Sequence, residues 1–136
     1  MDLMKSLFIS ASGLKAQNGR MRVIAENIAN ANSTARTPDE EPYRRKIPTF
    51  QSEFDKQLGA DKVELGRIVE DKSAFKSTHM PGHPAADENG YVLQPNVSTL
   101  VESADMREAQ RSYEANLNVI ETTRKMLQRT IDILRA

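Results

Sequence analysis

From Leu100 to Ala136 neither Gly nor Pro interrupts the chain, and a line of alternating threes and fours runs through it. That line is Met106, Gln110, Tyr113, Leu117, Ile120, Arg124, Leu127, Ile131 and Leu134, a mostly apolar seam at coiled-coil spacing. Val119, Met126 and Ile133 form a second stripe beside it, so the helix is apolar over more than one face towards its end and requires more than one neighbour. Few folds accommodate such an element other than a bundle or an assembly.

The beginning of the chain carries a matching seam. From Leu3 the same step visits Leu7, Ser10, Leu14, Gln17, Met21, Ile24, Ile28 and Ala31. The polar members Ser10 and Gln17 either face solvent or fix register against a chosen neighbour. Gly13 costs about 1 kcal/mol in a helix interior relative to Ala and allows close helix approach or a bend. Asn30, Asn32, Ser33 and Pro38 should end this helix near residues 30–33. The expected fold is mainly α with a small β-rich insert, the long N- and C-terminal helices pairing as an antiparallel coiled coil. Residues 1–32 and 100–136 then make a discontinuous helical assembly core, and 33–99 a loop and insert.

Within the insert, Tyr43 to about Phe50 reads as an extended edge segment because Pro48 cannot donate to a ladder. Lys62 to Leu65 alternates charged and apolar residues, with Gly66 as a bulge before Ile68 and Val69. Asn89-Gly90 precedes a short strand at Tyr91 to Leu93. Two to four strands are expected.

Composition excludes several functions. Of 136 residues, 19 are basic and 19 acidic, so there is no general attraction to a nucleic-acid backbone. The absence of cysteine removes disulfides and thiolate chemistry. The start of the chain is a poor signal peptide, since the heptad pattern runs through any cleavage point. His79 and His83 are the only metal-like pair, but Pro81, Gly82 and Pro84 forbid the helix that would bring them together. Asp87 and Glu88 beside a turn read as solvated carboxylates rather than an acid and base. Arg44, Arg45 and Lys46, balanced by Asp39, Glu40 and Glu41, read as a self-compensating surface or an intersubunit salt-bridge strip. No catalytic, cofactor or metal site and no small-molecule substrate are expected.

Three stretches carry a resemblance. SGLKAQNGRMRVIAENIANANS (residues 12–33, including Asn27 and Asn30) and SYEANLNVIETTRKMLQRTIDI (112–133, including Tyr113, Glu114, Ala115 and Asn116) resemble the terminal signatures of bacterial flagellar rod and hook axial proteins. RIVEDKSAFKSTHMPGHPAADENGYVLQPNV (67–97) is similar to the proximal-rod branch of that family, while TARTPDEEP before YRRK is a departure from it. The resemblance implies a periplasmic subunit of the basal body, exported unfolded through the flagellar type III apparatus without a cleaved signal. It further implies packing with copies of itself and other rod proteins into a hollow, torque-transmitting tube. The competing expectations are a standalone coiled-coil adaptor, a secretion-needle-like protein, or an enzyme acting on peptidoglycan through Asp87 and Glu88.

Overall fold

The computed structural model describes residues 2–136. Two long helices bracket four strands: α1 Leu3–Ala29, β1 Lys46–Asp55, β2 Ala60–Glu70, β3 Lys76–His79, β4 Tyr91–Gln94 and α2 Thr99–Arg135. β1 pairs with β2, and β3 with β4, in separate two-stranded sheets. The chain divides into two compact units, one of Met1–Met21, Thr49–Arg67 and Arg107–Ala136, the other of Arg22–Pro48 and Ile68–Met106.

Local chemistry sets the element ends. Asp2 caps α1, its Oδ1 accepting the Met4 N–H at 3.0 Å. At the other end Asn30 Nδ2 donates to the Glu26 carbonyl at 2.9 Å, and its Oδ1 accepts from the Ser33 hydroxyl at 3.2 Å. This is the side-chain to backbone competition expected there. Between β1 and β2, Asp55 Oδ1 accepts the N–H groups of Gln57 and Leu58, and Gly59 adopts a φ of 61° that side chains disfavour. Pro48 is tolerated because a two-stranded sheet has only edge strands.

In the first unit α1 meets two neighbours on adjacent faces. The β1–β2 hairpin lies along one: the Val63 N–H donates to Ser12 Oγ at 3.3 Å, and a Cβ at Gly19 would stand 2.8 Å from Leu65 Cδ2. α2 touches the other at two points: a Cβ at Gly13 would stand 2.8 Å from Asn116 Oδ1, and Arg20 pairs with Glu108 at 3.3 Å. Of the two roles open to Gly13, close approach is the one observed. The residues this unit buries are small: Ser10, Ala16, Ala109 and Thr123.

The second unit has a denser centre of Val23, Ile24, Val92 and Val97. Its β3–β4 ladder is antiparallel, with Lys76 opposite Gln94 and His79 opposite Tyr91. β3 has no counterpart in the sequence reading, and it places His79 on a strand. The turn before β4 is held by Asp87, whose Oδ1 accepts from the Asn89 and Tyr91 N–H groups at 2.9 and 2.8 Å, with Gly90 at φ 80°.

Candidate functional site: a buried polar clasp and a bare helix face

Asn27, in the last turn of α1, is fully buried and uses its whole hydrogen-bonding capacity. Its Nδ2 donates to the Lys46 carbonyl at 2.8 Å and to Glu102 Oε2 at 3.1 Å. Its Oδ1 accepts from the Tyr43 hydroxyl at 2.8 Å and the Lys46 N–H at 2.9 Å. Glu102, in the first turn of α2, is 1% exposed, and its Oε1 receives Arg45 Nε at 2.5 Å. Arg45 also faces Asp71 at 3.5 Å and Asp105 at 3.6 Å. The Arg45 backbone is fixed as well, its N–H donating to Asn96 Oδ1 at 2.7 Å and its carbonyl accepting from Asp71 N at 2.8 Å.

The clasp perturbs its members. Burial, then the negative charges of Glu26 and Glu102, push the Tyr43 phenol up to about 12. Burial works against the Arg45 charge, but the hydrogen bonds and charges of Glu102 and Asp71 outweigh it and raise the guanidinium above its ordinary value. Asp71 is held below the carboxylate range by the Ser73 N–H and hydroxyl, with Arg45 assisting.

These contacts correct the reading of the basic run as a self-compensating surface. Arg44 does pair locally with Glu41 at 3.3 Å, and its guanidinium stacks 4.3 Å above the Phe75 ring. Arg45 instead turns inward to the buried Glu102, while Lys46 Nζ reaches the partly exposed Glu26. The physical reason is that a buried Glu102 requires a directional cationic partner, which flexible surface acids do not.

The residues of the two seams are distributed unevenly. Ile24 is buried, and Leu7, Leu14, Met21, Ile28, Met106, Tyr113, Ile120 and Leu127 are half-buried. Leu117 is 39% exposed, Ile131 is exposed, and Leu134 is 80% exposed. The most covered line of α2 is Glu102, Ala109, Asn116 and Thr123, one step round from the line expected within the chain. The other motif residues also divide: Asn30 closes α1 and Asn116 meets Gly13, while Glu114 and Ala115 face solvent. The stripe of Val119, Met126 and Ile133 is exposed, Ile133 to 75%.

Elsewhere the chemistry is structural. His83 Nδ1 accepts the Ala85 N–H at 3.0 Å, which places a ring proton on Nε2 for Thr34 Oγ1 at 3.2 Å. His79 packs edge-on against Tyr91, with ring centroids 5.0 Å apart. Among the described residues no group of three or more His, Asp or Glu is arranged to hold a metal ion, and no helix is long and apolar enough to cross a membrane. A cavity of about 140 Å³ is lined by Thr37, Glu40, Ser77, Asp87 and Tyr91, and the Asp87 Oδ1 there is occupied by the Asn89 and Tyr91 N–H groups.

Long helices that leave an apolar face uncovered mark a protein built for contact with other chains. The comparisons name the family. Residues 7–36 match the family described as flagella basal body rod protein, and residues 88–133 match the flagellar basal body rod FlgEFG protein C-terminal family. The chain is 52% identical over 128 residues to the flagellar basal-body rod protein FlgC of Agrobacterium fabrum, covering 94% of this chain and 92% of that one. It is 37% identical over 133 residues to FlgC of Salmonella typhimurium, covering 98% of each, and 37% identical over 132 residues to FlgC of Aquifex aeolicus, covering 97% of each. The chain belongs to the FlgC family of flagellar basal-body rod proteins.

Proposed function

We propose that this chain is a non-enzymatic structural subunit of the proximal rod. It polymerises with copies of itself and other rod proteins into a hollow helical shaft that crosses the periplasm, carries motor torque and forms part of the export channel. Residues 1–32 and 100–136 act as the assembly core, with α1 and α2 paired as an antiparallel coiled coil, and 33–99 as the outward insert. The pairing is supported by contacts at steps of about seven: Gly13 with Asn116, Arg20 with Glu108, and Asn27 with Glu102. The subunit reaches its site through the flagellar type III export apparatus without a cleaved signal peptide. It needs no cofactor, metal, nucleic acid or small-molecule substrate.

The observation that carries the reading is the bare second half of α2, where Val119, Met126, Ile131, Ile133 and Leu134 are exposed and Leu117 lies at the partly covered margin. Monomeric proteins rarely leave such a cluster uncovered, and a contact between different faces of identical units builds a helix when the rotation does not close. Stiffness then comes from helices packed along the shaft. The test is Leu117→Arg. The free subunit should keep its circular dichroism, because Leu117 is not a core residue, but rods should fail to incorporate it and cells should lose motility. Normal basal bodies in that strain would remove Leu117 from the assembly face.

A further inference from the structure

Two helices whose contacts recur every seven residues carry an ambiguity. Sliding one along the other by a heptad, about 10 Å at 1.5 Å per residue, brings equivalent positions face to face again. On α2 the covered line repeats as Glu102, Ala109, Asn116 and Thr123, and three of these four side chains are small or adaptable enough to suit several neighbours. Gly13 asks only that nothing bulky oppose it, and the Arg20–Glu108 ion pair has a solvated partner in Glu108. Neither contact distinguishes one register from the next.

We propose that Asn27, Glu102 and Arg45 are the residues that select the register of α1 against α2. The inference rests on the antiparallel pairing proposed above and adds what chooses among its alternatives. Asn27 finds all four of its hydrogen-bond partners in one arrangement only, with the Lys46 backbone and Tyr43 on one side and Glu102 on the other. A slip of one heptad sets Asn27 opposite Ala109, which offers its side chain nothing, and strands Glu102 away from Asn27. A slip the other way sets it opposite Pro95, before α2 begins at Thr99. Arg45 cannot follow Glu102, because its own N–H and carbonyl are tied to Asn96 and Asp71. Every wrong register therefore leaves a buried polar group without its partner, which is how a single polar seam position specifies alignment. The clasp acts through the helices it positions.

The absence of cysteine makes the test clean. Arg22→Cys and Leu100→Cys, both at exposed positions, carry spin labels for pulsed electron paramagnetic resonance on the full chain. The parent protein should give one narrow distance. Asn27→Leu combined with Glu102→Leu, which keeps an apolar seam, should remain helical by circular dichroism but add a second population lengthened by up to about 10 Å. Glu108→Gln, which breaks a different interhelical contact, should leave the single distance. A helical double variant with the parental distance alone overturns the proposal, as does a second population in Glu108→Gln. If the double variant does not fold, Glu102→Gln decides by the same criterion: a second population supports the proposal and the parental distance alone overturns it. A parent protein with no defined distance would sink the pairing itself, and the clasp with it.

Discussion

In the second unit the most buried side chains include Asn27 and Glu102, held by directional bonds; in the first they are Ser10, Ala16, Ala109 and Thr123, which offer little beyond close approach. The second unit also buries Val23, Ile24, Val92 and Val97, whereas the first leaves most of α2 from Arg107 onward in solvent. The second unit holds the directional bonds, and the first holds most of the exposed large apolar side chains, although Leu100 and Val101 also stand bare in the second. The difference teaches that specificity and adhesion are separated along the same two helices. Directional groups define a geometry because their alternatives cost unpaired buried atoms, while small and apolar groups supply contact area without choosing a partner.

The contrast can be broken most forcefully through Arg45→Leu. Glu102 would keep only Asn27, and a buried carboxylate stripped of its cation costs about 3–5 kcal/mol. Urea unfolding should show that loss, and hydrogen exchange should accelerate in Arg22–Pro48 and Ile68–Met106 while the β1–β2 hairpin tip keeps its protection. Equal acceleration everywhere would mean that the two units open as one. Next in size is Gly13→Leu, which forces a side chain into the space held by Asn116 and should cost about 1–3 kcal/mol by overpacking. The exchange pattern should then invert, with the first unit opening. A neutral result would mean that Asn116 swings aside freely.

A smaller effect is expected from Tyr43→Phe, which removes one hydrogen bond to Asn27 worth about 0.5–1.5 kcal/mol. Its pH dependence sharpens the point. The folded-state phenol is raised to about 12, above its ordinary value of 10, so this contribution is complete below pH 10 and is lost as pH rises towards 12. Ultraviolet titration should show a late tyrosine step that vanishes in Tyr43→Phe. The smallest effect belongs to Glu108→Gln. Glu108 is largely exposed, and breaking its bridge to Arg20 should change stability by less than about 0.5 kcal/mol. A larger loss would place a determinant of geometry in the first unit too.

Both helices were legible because their apolar period persists and because Asn30 and Pro95 punctuate their inner ends. β4 was legible from Asn89-Gly90. β3 was not, since Lys76, Ser77, Thr78 and His79 are all exposed and show no alternation; the strand exists through its backbone pairing with β4. Asn27 and Asn116 were reached through the family motifs, but their partners were not. Glu102 had no particular place in the sequence reading, and Arg45 stood only as part of a surface run, because a pair 57 residues apart leaves no local trace. A usable signal was present all the same. Glu102 stands seven residues before Ala109, at the head of a line of small and polar residues flanking the apolar seam, and a charge in such a line marks a buried partner.

In the first unit α1 is already gripped twice, at Ser12 and Gly19 by the hairpin and at Gly13 and Arg20 by α2. Apart from Ile9, what remains exposed on it in this unit is a strip through Met4, Phe8, Ala11, Lys15 and Asn18. A beam clasped on two flanks keeps its longest open bearing away from both, which sets the side from which that length of α1 can be met.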